Sequence, residues 1–98
     1  MNHPPIPRIV YTSERERRNH AQYGLSLALA RSFHWHSALV RRGQYENRAT
    51  GRLVDGAVVV LSYRDTHDDE PVRRVNLLRA ATPDEAARYT ERYTERRG

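Results

Sequence analysis

The sequence predicts an α+β fold: one antiparallel sheet with helices packed mainly on one face. Three observations lead there. Residues 13–33 carry helix caps and an apolar stripe. Residues 38–78 are rich in β-branched side chains and contain an Asp-Gly hairpin signal. A strong helix start at Thr82 then opens a polar tail. The expected order is β-α-α-β-β-β-α, in a single domain spanning 1–98 with an extended arm at 1–10.

The arm holds three prolines between residues 3 and 10, so only Arg8-Ile9-Val10-Tyr11 suits a strand. Ser13-Glu14-Arg15-Glu16 matches a capping box, with Ser13 as cap and Glu16 reaching back. Gly24 suits the position just past the end of that helix. Ser26 can cap a second helix, in which Leu25, Leu29 and Phe33 recur every four residues as one apolar stripe. Val54-Asp55-Gly56-Ala57 carries the Asp-Gly of a two-residue hairpin turn, joining a strand near Arg48–Val54 to one at Ala57–Tyr63. The run Val58-Val59-Val60-Leu61 is the candidate for a central buried strand. Residues 64 to 71 are polar and acidic and read as a loop, and Val72–Leu78 is the last strand. Thr82-Pro83-Asp84-Glu85 supplies a cap, a proline at the first helical position and a glutamate two further on. The final helix repeats Arg-Tyr-Thr-Glu, which puts Arg88, Arg92 and Arg96 on one ridge and Tyr89 and Tyr93 on another. The tyrosines suit packing on the sheet. The arginines suit a solvated face or, alternatively, contact with RNA.

The formal net charge is +5, and all seventeen basic residues are arginine. Arginine pairs with phosphate through two parallel hydrogen bonds, so a small domain with this excess points to a polyanionic partner, nucleic acid first. There is no cysteine, which excludes disulfides, thiolate metal sites and a thiol nucleophile. No long apolar run is present, and a soluble, cytoplasmic protein is expected. His34-Trp35-His36 lacks a third ligand at a suitable spacing, and Asp65, His67, Asp68, Asp69 and Glu70 lack the spacing of a calcium loop. No glycine-rich phosphate loop or nucleophile motif is present. Two helices around Gly24 suggest a helix-turn-helix, but the second is apolar and poor in base-reading side chains.

The sheet face away from the helices is where chemistry can sit. Alternation puts Glu46, Arg48 and Thr50 on one side of their strand, and Arg74 with Asn76 on the last. A carboxylate among guanidiniums suits RNA cleavage: the carboxylate takes the proton from a ribose 2′-hydroxyl, and the arginines hold the phosphate and stabilise its growing charge. Such chemistry calls for no metal or cofactor. Arg74 and Arg79 differ by an odd number, so they share a face only if the strand ends or bulges near Leu78. Otherwise Arg79 pairs with a carboxylate such as Glu85.

Three segments, Asn19-His20-Ala21-Gln22-Tyr23-Gly24, Glu46-Asn47-Arg48 and the run from Arg74 through Arg79 and Glu85 to Tyr89, together resemble the BrnT family of bacterial type II toxins. The resemblance covers roughly Tyr11 to Tyr89. It implies a RelE-related fold and a metal-independent endoribonuclease that arrests growth. It also implies a cognate DNA-binding antitoxin, BrnA-like, in a two-to-two complex that represses its own operon. On this resemblance Arg48, Arg74 and Arg79 act on phosphate, Glu46 or His20 is the base, and Asn19, Gln22, Tyr23, Asn76 and Tyr89 contact RNA. Where the family usually shows Asn-x-x-Lys-His-Gly, this chain has Gln22 and Tyr23. A basic residue and a histidine are therefore missing, and His20 is the imidazole that can stand in. The alternative is a catalytically degenerate toxin-like domain that only binds RNA or the antitoxin.

Overall fold

Five strands form one sheet: β1 (Arg8–Val10), β2 (Leu39–Arg41), β3 (Asn47–Arg52), β4 (Val58–His67) and β5 (Pro71–Ala80). Their spatial order is β1-β5-β4-β3-β2. Two α-helices, α1 (Ser13–Tyr23) and α2 (Pro83–Arg97), accompany it. This computed structural model describes residues 5–67 and 69–97, with side chains through Tyr93. Residues 1–4 of the expected arm, Asp68 of the acidic stretch and the Arg96 side chain lie outside the described residues. The strand run 58–61 is central, as its unbroken β-branched pattern requires. The sheet departs from the expected antiparallel pattern at one edge, where β1 pairs with β5 in parallel. Most of the chain separates those two strands, and a parallel neighbour needs such a long crossover.

Four local elements differ from the sequence reading. The cap of α1 is Thr12, whose backbone is still extended and whose hydroxyl accepts from the Arg15 N–H at 3.1 Å; Ser13 is already helical. Glu16 therefore does not reach back. It accepts from the Ser26 hydroxyl and the Leu27 N–H, both at 2.7 Å, and those bonds hold its carboxyl below the usual range. The second helix is a six-residue 3-10 helix, Leu27–Ser32, capped by Ser26 and followed by a shorter one at Trp35–Ser37. Glu16 pins its start and the Trp35 indole bonds the Ala30 carbonyl at 3.0 Å, so the tighter helix is held between two fixed ends. The β3–β4 hairpin turns through three residues, not two. Leu53 N–H bonds the Ala57 carbonyl, and Gly56 takes the left-handed position at φ 91.

The fourth difference is the polar stretch 64–67, which is strand. Arg73 on β5 grips Asp65 on β4 through two hydrogen bonds of 2.7 and 2.9 Å, and its guanidinium lies 4.5 Å from the Trp35 ring centroid and 4.6 Å from that of Tyr63. A cross-strand ion pair resting on aromatic rings extends the sheet where apolar pattern alone ends.

The main core lies on the side of α1 and the 3-10 helices. Leu27, Ala30, Phe33, Ala49, Leu61, Val75 and Leu78 meet there, all buried. Val60 has the opposite alternation and is fully buried as well. It sits beneath α2, which packs against β3 on the other face, with Arg52 bonded to the Tyr93 hydroxyl at 3.1 Å.

Two devices on β5 shape everything that follows. The first is a bulge. Leu77 pairs with Ser62 and Val75 with Tyr63, so Asn76 has no partner across the ladder. The extra residue resets the alternation. Val75 and Leu78 both enter the core, while Arg74 and Arg79 both come to the opposite face. The second device is Asn19, whose side chain is buried. Its amide donates to the Leu25 and Leu78 carbonyls at 2.8 and 2.9 Å, and its oxygen accepts from the Leu78 N–H at 3.0 Å. β1 has already ended at that level. The carboxamide thus pairs with Leu78 of β5 as a further strand would.

Candidate nucleic-acid interface

Cross-strand register lays the α2-side face out in rows. Leu39, Thr50, Val60 and Arg79 make the first, partly under α2. Arg41, Arg48, Ser62 and Leu77 make the second. Arg64 opposite Arg74 makes the third. Two exposed arginines directly opposite each other repel, and neither has an ion-pair partner among the described residues. Glu46 precedes β3 and continues this row, and it accepts from the bulged Asn76 amide at 3.2 Å. The bulge thus directs Asn76 onto the Glu46 carboxylate.

Glu46 sits at the end of a tight loop. A methyl group on Gly43 would overlap the Glu46 carbonyl, so only glycine lets the loop close there. Around it, Arg41, Arg42, Glu46, Asn47, Arg48 and Ser62 line a recess of about 190 Å³. On the far side of Arg48, a larger groove of about 330 Å³ opens between the sheet and α2. Arg48 lines both.

Arg79, in the first row, is already engaged. It donates to both Glu85 oxygens at 2.8 and 3.0 Å, and Glu85 also accepts from the Thr82 N–H at 2.8 Å, closing the capping box of α2. The hydrogen bonds from Arg79, then that from Thr82, pull the Glu85 carboxyl down to about 2. Arg79 is held charged chiefly by the same bonds, against its partial burial, with the Glu85 charge and the Tyr23 phenol adding less. A carboxylate whose folded pKa is depressed stabilises the fold above its unfolded value and loses that contribution as pH falls through the folded one. Stability should therefore decline between about pH 4.5 and 2 in the native protein. Arg79→Ala should flatten that limb and also destabilise at neutral pH, because it leaves Glu85 half-buried without its partner. Urea titrations across this pH range check both; an unchanged acid limb in the variant would remove the pair as its source.

Glu46, Arg48, Arg74, Asn76 and Arg79 thus share one face. Three other predicted contacts do not join them. Asn19 is buried and its amide fully used, so it holds β5 and does not meet RNA. Tyr89 is buried, with its hydroxyl 2.9 Å from the Ser37 hydroxyl and its ring stacked on Tyr93, so it anchors α2 and is likewise no RNA contact. His20 is exposed on α1 beside Glu16, and no hydrogen bond or ion pair among the described residues links it to Glu46 or Arg48. Gln22 is exposed and Tyr23 half-buried on the last turn of α1. The sequence reading passed over Arg41, and it left Arg88 and Arg92 as an alternative to solvent. The doublet Arg41-Arg42 just before a glycine and Glu46 was the available signal, but β2 is too short to announce itself. Among the described residues, no three His, Asp or Glu side chains converge as metal ligands, and no helix is long and apolar enough to cross a membrane.

A mixed sheet with this strand order, with α1 at one edge and arginines on the α2 side, makes a small α+β fold. The chain superposes on the ribonuclease toxin BrnT of Brucella abortus, known from a 1.1 Å crystal structure, with a TM-score of 0.63 at 20% identity. The match covers 79% of this chain and 99% of that one. No family model and no curated relative matches the sequence.

Proposed function

We propose that this protein is an endoribonuclease toxin of a type II toxin–antitoxin system, which cuts RNA without a metal and is neutralised by a DNA-binding antitoxin. One observation carries the reading: Glu46, oriented by Asn76, lies beside Arg48 and the unpaired Arg64/Arg74 couple on an exposed sheet face. In the reaction, Glu46 takes the proton of a ribose 2′-hydroxyl, whose oxygen attacks the adjacent phosphorus. The P–O5′ bond breaks, leaving a 2′,3′-cyclic phosphate, and a proton from solvent completes the 5′-hydroxyl product. Arg48 and Arg74 hold the phosphate oxygens and stabilise the added charge. The nucleophile belongs to the substrate, so alignment supplies much of the rate. Arg79, bound to Glu85, holds the start of α2 and acts on phosphate only indirectly.

The partner reading draws on the same charge: an acidic antitoxin segment covering this face would exclude RNA, and co-expression with the adjacent gene product should restore growth and yield a joint complex. A second reading, a domain that binds RNA without cutting it, is favoured by Gln22 and Tyr23 standing where the toxin family has a basic residue and a histidine. The test is incubation of purified protein with total RNA in excess EDTA, alongside expression in growing cells. Fragments ending in cyclic phosphate, with growth arrest, are expected. Intact RNA at high protein concentration together with harmless expression would leave the binding domain.

A further inference from the structure

The cleavage chemistry uses one end of the arginine face and leaves two features without a task. The first is the larger groove between β2–β3 and α2, about 330 Å³ in volume. Arg41 and Arg48 line its sheet wall, and Arg88 and Arg92, one helical turn apart, line its helix wall. Among the described residues none of these four guanidiniums forms an ion pair. The acid in the groove, Glu85, is already held by Arg79. The second feature is Tyr45, 77% exposed, on the loop beside Glu46. It makes no hydrogen bond or ring contact among the described residues. Arg41 and Arg48 both line the groove and the Glu46 recess next to Tyr45 in sequence.

We propose that this surface is a track for single-stranded RNA. The groove holds the phosphodiester next to the cleaved one through Arg41, Arg88 and Arg92, and Tyr45 stacks a base on the far side of Arg48. The proposal deepens the ribonuclease reading and depends on it for the position of the cleaved bond.

The shape and the chemistry both select this ligand. The groove has the size of a single nucleotide and is bounded by α2, so one strand can enter where a duplex cannot. A charged groove with an aromatic platform is the usual way to hold a single strand without reading its sequence. Glu46, in the neighbouring recess, accepts from Asn76 alone among the described residues and can take a further donor. A ribose hydroxyl offers one.

The probe is a fluorescent 2′-O-methyl oligonucleotide, which lacks the attacking hydroxyl and so survives intact, with binding read by anisotropy across a salt series. The Arg88→Ala/Arg92→Ala double variant should bind about tenfold or more weakly, and its salt slope should fall by about 0.7, the value for one lost phosphate contact on a single strand. Tyr45→Ala should weaken binding about tenfold, in the range of one lost stacking contact, and Tyr45→Phe should restore it. A duplex of the same sequence should bind more weakly than the single strand. All three side chains are exposed, and unchanged melting transitions check that the variants fold.

Equal binding of duplex and single strand, or an unchanged salt slope in the arginine variant, would each overturn the track. The two readings separate cleanly. If the wild type grips the probe through these residues yet leaves ordinary RNA intact, the track stands and the ribonuclease reading falls. If it cuts RNA and the three-residue variants cut and bind like the wild type, the reverse holds.

Discussion

Asn19→Ala is expected to cost about 3 kcal/mol of unfolding free energy, a large share of what a domain of this size has. The substitution removes three hydrogen bonds at once and strands both the N–H and the C=O of Leu78, which is fully buried. Each orphaned buried group carries a desolvation penalty of its own. The melting temperature should fall by roughly 15 °C, given the sensitivity typical of such small domains. Asn19→Asp should do no better. It keeps the acceptor for the Leu78 N–H but sets a carboxylate against two carbonyl oxygens. Gln22→Ala on the exposed turn of the same helix is the control and should change stability by under about 0.5 kcal/mol. Chemical denaturation of the three variants gives the comparison. If Asn19→Ala melts like the control, the side chain is not closing the β5 edge.

Arg48→Ala is expected to reduce RNA cleavage by about 10²–10³-fold, the usual loss when one donor to a developing oxyanion is removed. Stability should move by less than about 0.5 kcal/mol, because Arg48 is exposed and has no ion-pair partner among the described residues. Arg48→Lys should recover little, since a single ammonium cannot reproduce two parallel bonds to one phosphate. Single-turnover cleavage of a short RNA separates loss of chemistry from loss of binding. Full activity in Arg48→Ala would move the reaction centre off this face.

The parts of the fold that could be read beforehand were those carried by local chemistry. Val58–Leu61 announced the central strand through composition, and Thr82-Pro83-Asp84-Glu85 announced α2 through its caps. The glutamate of that cap also decided the fate of Arg79, one of two readings the sequence left open. What escaped was set by contacts distant in sequence. The strand at 64–67 depends on Arg73 lying across Trp35 and Tyr63, and nothing in Arg64-Asp65-Thr66-His67 alone signals it. The parallel edge depends on where β1 meets β5. Asn19 looked like a candidate RNA contact because its partner, Leu78, is 59 residues away. For the interface, alternation alone found Glu46 with Arg48, but Arg41 and the groove-facing side of Arg88 and Arg92 needed the packing of α2 over β3. A strand end or bulge near Leu78 is the condition the sequence sets for bringing Arg74 and Arg79 together, and the bulge falls at Asn76, between the Ser62 and Tyr63 pairings.

That single unpaired residue makes β5 a strand of two phases. Substitutions leave the phase untouched, so most of the strand can drift in sequence while its arginines keep their side. Loss of Asn76 is a lesion of another kind. It would leave a regular ladder, with Arg74 and Arg79 four residues apart and still on one side, and Val75 and Leu78 still in the core. What it would take away is the amide held against Glu46. The extra residue is therefore spare to the architecture: it sets a donor beside the carboxylate and leaves the packing of the strand as it would be without it.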